Sequence, residues 1–165
     1  MRTVFALFES YREAKRAVDE LLARRFDEQE MNVIVQELAA RGSMDVNLRT
    51  ANIDKTDRTG REGLHGLNRL VAGQQPLPVA DVGAVYAAGK MATILARAGS
   101  TRESAPSRLK DALVEFDVPE EIAQFYANGV SDGGVLFWLR TDDTRAAEAA
   151  NVLSETKGEE VSSTR

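Results

Sequence analysis

The sequence predicts an α+β domain in which two strand–helix–strand units flank a long, mostly helical insertion. Three observations carry that expectation. Residues 3–8 and 135–139 are almost continuous apolar runs, the mark of strands buried on both faces. Each run is followed by a helix-start signal and then by apolar residues at helical spacing. The stretch between the two units, roughly 40–130, has a different texture, with long polar and turn-rich segments.

The first unit opens with Thr3-Val4-Phe5-Ala6-Leu7-Phe8. Ser10 followed by Glu13 is a capping box, in which each side chain satisfies an orphan N–H at a helix start. Behind it Ala14, Ala17, Val18, Leu21 and Leu22 form an apolar stripe opposite Arg12, Lys15, Arg16, Asp19 and Glu20. Phe26 is expected to close that helix against the core. Met31 to Gln36 reads as a second strand, and its partial alternation suggests a position near a sheet edge.

The second unit repeats the grammar. Gly133-Gly134 signals a turn, and Val135-Leu136-Phe137-Trp138-Leu139 reads as a buried strand. Asp142 and Asp143 can cap a helix whose stripe is Ala146, Ala149, Ala150 and Leu153. Gly158 is expected to end it, and Glu159 to Ser163 can form a short edge strand. The order is βαββαβ, that of a ferredoxin-like sandwich. Residues 1–39 and 131–165 supply its halves, and 40–130 is inserted between its second and third strands. The whole is expected to be one domain, as 165 residues allow.

Within the insertion, residues 41–62 read as a long loop. Leu64, Leu67, Leu70 and Val71 suggest a short amphipathic helix, broken by Pro76 and Pro78. Ala80 to Ala98 reads as a helix rich in small residues, and Leu109, Leu113 and Phe116 mark another. Pro119-Glu120-Glu121 is a further helix start, with Ile122, Phe125 and Tyr126 as its buried face and Gly129 as its end. In the first strand Val4, Ala6 and Phe8 point one way, and Phe5 and Leu7 the other. Both sheet faces therefore need cover, and the insertion or a second subunit must provide the layer that two frame helices cannot.

Composition narrows the function classes. With no cysteine, disulfides, thiol catalysis and cysteine-held metals are excluded. A net charge of −5 with no basic patch points away from nucleic acid. No stretch approaches a membrane span or a secretory signal core, so the expectation is a soluble, cytoplasmic protein. No cofactor, metal or catalytic residue is predicted. His65 is the one histidine, too few for a usual zinc site or a Ser–His–Asp triad. Gly60, Gly63 and Gly66 match neither nucleotide-binding glycine pattern. Asp142-Asp143, Glu120-Glu121 and Glu159-Glu160 sit at helix starts or the tail, where capping and solvation account for them.

Three stretches carry a resemblance to a known family: Thr3 to Phe8, Asp81-Val82-Gly83-Ala84-Val85-Tyr86-Ala87-Ala88-Gly89, and Val118-Pro119-Glu120-Glu121 through Phe125-Tyr126-Ala127-Asn128-Gly129 to Gly133-Gly134-Val135-Leu136. In these the chain resembles the YflT-like heat-induced general stress protein domain. The resemblance implies a stress-linked role and supplies no catalytic residue. The leading expectation is a non-enzymatic stress-associated protein acting as a homodimer or through a protein partner. The alternative is a small-ligand or haem binder of the dimeric α/β-barrel type, with His65, Arg69 and Tyr126 as candidate binding residues.

Overall fold

The fold is described from a computed structural model, which covers residues 2–37, 39–40, 66–71, 77–79, 82–90, 92, 94, 109–115 and 118–164. In chain order the elements are β1 (Arg2–Phe8), α1 (Tyr11–Ala23), a 3-10 turn (Glu28–Glu30), β2 (Met31–Gln36), α2 (Leu67–Val71), β3 (Leu77–Val79), β4 (Gly83–Ala88), α3 (Leu109–Glu115), α4 (Glu120–Ser131), β5 (Val135–Thr141), α5 (Asp143–Glu155) and β6 (Glu159–Thr164). The class is α+β. The strands form one six-stranded sheet in the order β3-β4-β2-β5-β1-β6, and every pairing is antiparallel.

The two most apolar strands are neighbours inside this sheet. β1 and β5 pair without a break from Arg2 opposite Thr141 to Phe8 opposite Val135. Their side chains alternate between two cores, as the period-2 geometry of a strand requires. Val4, Ala6, Phe8, Phe137 and Leu139 enter the first core, with Ala14, Ala17, Val18 and Leu21 of α1 and Ala146, Ala149 and Leu153 of α5. Phe5, Leu7, Leu136 and Trp138 enter the second, with Leu109 and Leu113 of α3 and Ala123, Tyr126 and Val130 of α4. The insertion itself thus covers the second face. It also reaches the first, where Leu67 and Val71 of α2 join the core.

Local signals explain the frame helices. The Ser10 hydroxyl accepts from the Glu13 backbone N–H at 3.3 Å, the N-terminal cap the sequence predicts. The Leu21 carbonyl accepts from the Phe26 N–H at 3.0 Å, which closes the C-terminal turn. Phe26 is buried, and the Arg145 guanidinium lies 3.8 Å from its ring centre. The same guanidinium donates to the Arg24 carbonyl at 2.9 Å. One side chain therefore joins the end of α1 to the start of α5.

Four expectations need correction. The segment read as a helix from Ala80 to Ala98 contains strand β4 at Gly83–Ala88, and β3 precedes it, so the insertion is less helical than expected. The physical reason is the open side of β2: Val33 to Gln36 pair with Val85 to Ala88, and ladder hydrogen bonds outweigh the helix preference of a few alanines. For the same reason β2 is no edge strand. It lies between β4 and β5, and Met31 to Val35 are all buried. Gly129 does not end α4, which runs on to Ser131. Its missing side chain instead admits Leu7, whose methyl group occupies the space a Cβ would take. Finally, the buried stripe of α4 is Ala123, Tyr126, Ala127 and Val130, which turns Phe125 outward.

Two amides bind the insertion to β2. The buried Asn32 accepts through Oδ1 from the Ala92 N–H at 3.0 Å and donates through Nδ2 to the Glu30 carbonyl at 3.3 Å. Gln36 Nε2 donates to the Val82 carbonyl at 2.8 Å and the Ser131 carbonyl at 3.0 Å. These bonds hold the chain after β4, and the end of α4, against the same strand.

Candidate functional site

The candidate residues suggested by the sequence do not form a group among the described residues. His65 lies outside those residues. Arg69 falls in α2, and its side chain is not described. Tyr126 is fully buried, with its ring stacked 5.9 Å from that of Phe5. Phe5 in turn stacks 5.3 Å from Trp138. Such offset aromatic contacts stabilise a core, and Tyr126 belongs to that stack.

A groove lies instead where β1, α4 and β6 converge. Its volume is about 480 Å³; Leu7, Gly129 and the ring of Phe125 form its apolar side, and Phe8 borders it at the end of β1 with its side chain in the first core. Glu9, Asp132 and Glu159 bring carboxylates to its rim, beside the Asn128 amide. The local sequence builds this shape. β1 ends at Phe8, and the chain turns through Glu9 to the cap of α1. α4 ends at a turn where Gly133 adopts φ +96, a conformation that suits glycine. The Gly134 N–H then donates to the Gly129 carbonyl at 2.8 Å. A Cβ on Gly134 would lie 2.7 Å from the Phe8 carbonyl oxygen, so glycine lets α4 settle against β1. Glu159 arrives beside Leu7 through the β1–β6 pairing, which is irregular between Phe5 and Leu7.

The electrostatics of this rim are strained. The Glu159 carboxyl is pushed above the usual carboxylate range, first by loss of water around it, then by a shared hydrogen bond with Glu9 and by the charges of Glu9 and Glu13. Among the described residues, no lysine or arginine lines the groove. Phe125 is 39% exposed, and its ring meets Tyr126 edge-on at 6.3 Å. An apolar wall beside crowded carboxylates is suited to a cation with an aliphatic or aromatic-facing stem.

A second groove, about 730 Å³, runs between α1 and the end of α5. Arg12, Arg16 and Lys157 face it, but so do Glu13, Glu20 and Glu155, so opposite charges balance. The Ser10 hydroxyl is engaged as a cap, and the Thr156 hydroxyl donates to the Val152 carbonyl at 2.8 Å. Nothing there favours one ligand class.

The first groove was missed by sequence reasoning for a clear reason. Glu9 and Asp132 lie in separate turns and Glu159 opens β6, and each looks like an ordinary solvated acid. The one available signal is the glycine set 129, 133 and 134, which marks a close approach of α4 to β1 but not what borders it.

Among the described residues, no group of three or more His, Asp or Glu side chains is placed to hold a metal ion, and no helix is long and apolar enough to cross a membrane. The chain finds no match among protein-family models, curated proteins or solved structures.

Proposed function

We propose that this is a non-enzymatic, stress-associated cytoplasmic protein that acts by self-association or by binding a protein partner through its insertion layer. One observation carries the reading. The large apolar side chains most exposed among the described residues are Ile94 at 54%, Val114 at 42% and Phe125 at 39%, and all three belong to the insertion. All three fall in one inserted segment and none in the two flanking units, which supports an interface on that segment. The stress link rests on the sequence resemblance alone.

We read the frame as a ferredoxin-like sandwich. The central neighbours β1 and β5 lie between β2 and β6, and α1 and α5 share one face, both of which support that reading. The insertion then widens the sheet by adding β4 and β3 beyond β2.

Light scattering and affinity capture from stressed cells test the function. We expect the native protein to self-associate or retain a partner. The triple variant Ile94→Ser, Val114→Ser and Phe125→Ser should lose that association while keeping its melting temperature within a few degrees. A native protein that stays monomeric at high micromolar concentration and retains no partner would sink the proposal.

A further inference from the structure

We propose that the groove between Phe125 and the Glu9–Glu159 pair docks a basic segment of a protein partner, an arginine or lysine lying along Phe125 with its charged head among the carboxylates. The inference rests on the partner-binding reading above and names the partner's chemistry.

Shape, polarity and charge point to the same occupant. A volume of about 480 Å³ accommodates one or two long side chains, not a whole helix of 10–12 Å diameter. Leu7 and Gly129 line the groove beside the exposed Phe125 ring. Such a surface suits the methylene stem of a long basic side chain, and the Phe125 ring can accept a guanidinium or ammonium on its face. Glu9, Asp132 and Glu159 supply three carboxylates, and among the described residues no lining cation answers them. Glu159 is pushed above the usual carboxylate range first by loss of water and only then by Glu9 and Glu13, and an arriving positive group would relieve that second part.

A second copy of this chain is a poor fit for the site. Each copy carries a net charge of −5, and an isologous contact would set one acidic rim against another, which repels. A basic segment gains where a second copy loses. Of its two possible heads, a guanidinium can also bind a carboxylate in bidentate fashion, so arginine should be preferred to lysine.

The test uses the full chain and a fluorescein-labelled Arg-Leu-Arg-Leu-Arg peptide followed by anisotropy. We expect saturable binding that weakens with added salt and is several-fold weaker for the lysine version of the peptide. The variant Glu9→Gln with Glu159→Gln should bind at least tenfold more weakly, and Phe125→Ala about fivefold more weakly. Asp111→Asn with Glu115→Gln makes the same change in net charge on exposed positions of α3, and it should bind like the native protein. Melting curves of every variant confirm folding. Equal peptide affinity for the native protein and the Glu9–Glu159 variant would overturn the proposal, as would equal weakening by the α3 variant. If the Glu9–Glu159 variant instead alters self-association, the occupant is a second copy and the proposal falls. If cellular partner capture persists undiminished in that variant, the groove proposal fails while the broader reading stands. If the peptide binds as expected but the native protein captures no partner and stays monomeric, the broader reading fails instead.

Discussion

The two faces of the sheet are covered in different ways. The first is closed largely by α1 and α5, which lie next in sequence to the strands they cover. Ala14, Ala17, Ala146 and Ala149 let their backbones approach, beside Tyr11, Val18, Leu21 and Leu153. Arg145 fastens their seam, while the pairs Arg24–Glu20 at 3.0 Å and Arg24–Glu148 at 3.5 Å are exposed and contribute little. The second face is closed by α3 and α4 of the insertion, and its fit depends on large rings, with Phe5 between Tyr126 and Trp138. The first face, where Phe8 and Phe137 pack among aliphatic side chains and alanines without a described ring–ring contact, spreads its stabilisation over many contacts. A face built around stacked rings concentrates it in a few.

That contrast can be broken with two adjacent residues of β1. Phe5→Ala removes the ring shared by Tyr126 and Trp138 and should cost about 3–5 kcal/mol, the range for truncating a buried phenylalanine. Val4→Ala, one residue away on the first face, removes two methyl groups and should cost about 2 kcal/mol. Urea melts of the two variants measure the difference. Amide exchange adds a sharper reading: in Phe5→Ala, α4 should lose protection before α1 does. Equal costs, or earlier exchange in α1, would show that the faces do not differ as described.

The same contrast governs what was legible in the sequence. β1, β5, α1 and α5 could be read because their determinants are local. Continuous apolar runs mark the strands, and Ser10 with Glu13 marks a helix start. The need for a second cover was also legible, from Phe5 and Leu7 alternating against Val4, Ala6 and Phe8. The nature of that cover was only partly legible. Val85-Tyr86-Ala87-Ala88 suits a helix by composition, yet it becomes β4 because β2 offers it a pairing edge. Phe125 looked buried because Ile122, Phe125 and Tyr126 share helical spacing, but the stripe that meets the sheet is offset from Phe125 by one position. The acidic groove left no local trace, because its rim is assembled from Glu9, Asp132 and Glu159, far apart in the chain.

A smaller effect probes how the insertion is tied to the frame. Asn32→Ala leaves the buried Ala92 N–H without the acceptor that now lies 3.0 Å away. A buried donor stripped of its partner costs about 1–3 kcal/mol. The loss should appear in chemical denaturation, with amides near Ala92 exchanging faster while those of α1 and α5 are unaffected. If Asn32→Ala melts like the native protein, the amide latch contributes nothing, and packing alone holds the insertion on β2.

The least effect at neutral pH, and the most informative about coupling, comes from Tyr11 at the start of α1. It is buried in the first core, and burial raises its phenol above the ordinary value near 10. The folded state therefore holds the phenolic proton more tightly than the unfolded chain does. Its contribution to stability is complete below pH of about 10 and declines as pH rises beyond it, because the unfolded state then gains from ionisation. Tyr11→Phe lacks this titration. Lysines and arginines titrate in both proteins, so the difference between the two melting temperatures isolates the phenol. That difference should be constant from pH 7 to 9 and then shift in favour of the phenylalanine variant as pH rises further. Trp138, the chain's one tryptophan, reports on the opposite face. If the shared strands β1 and β5 make the two cores one cooperative unit, alkaline loss of the first face must appear in Trp138 fluorescence at the same midpoint as in circular dichroism. Separate midpoints would mean that the insertion layer and the α1–α5 layer unfold independently, despite resting on the same strands.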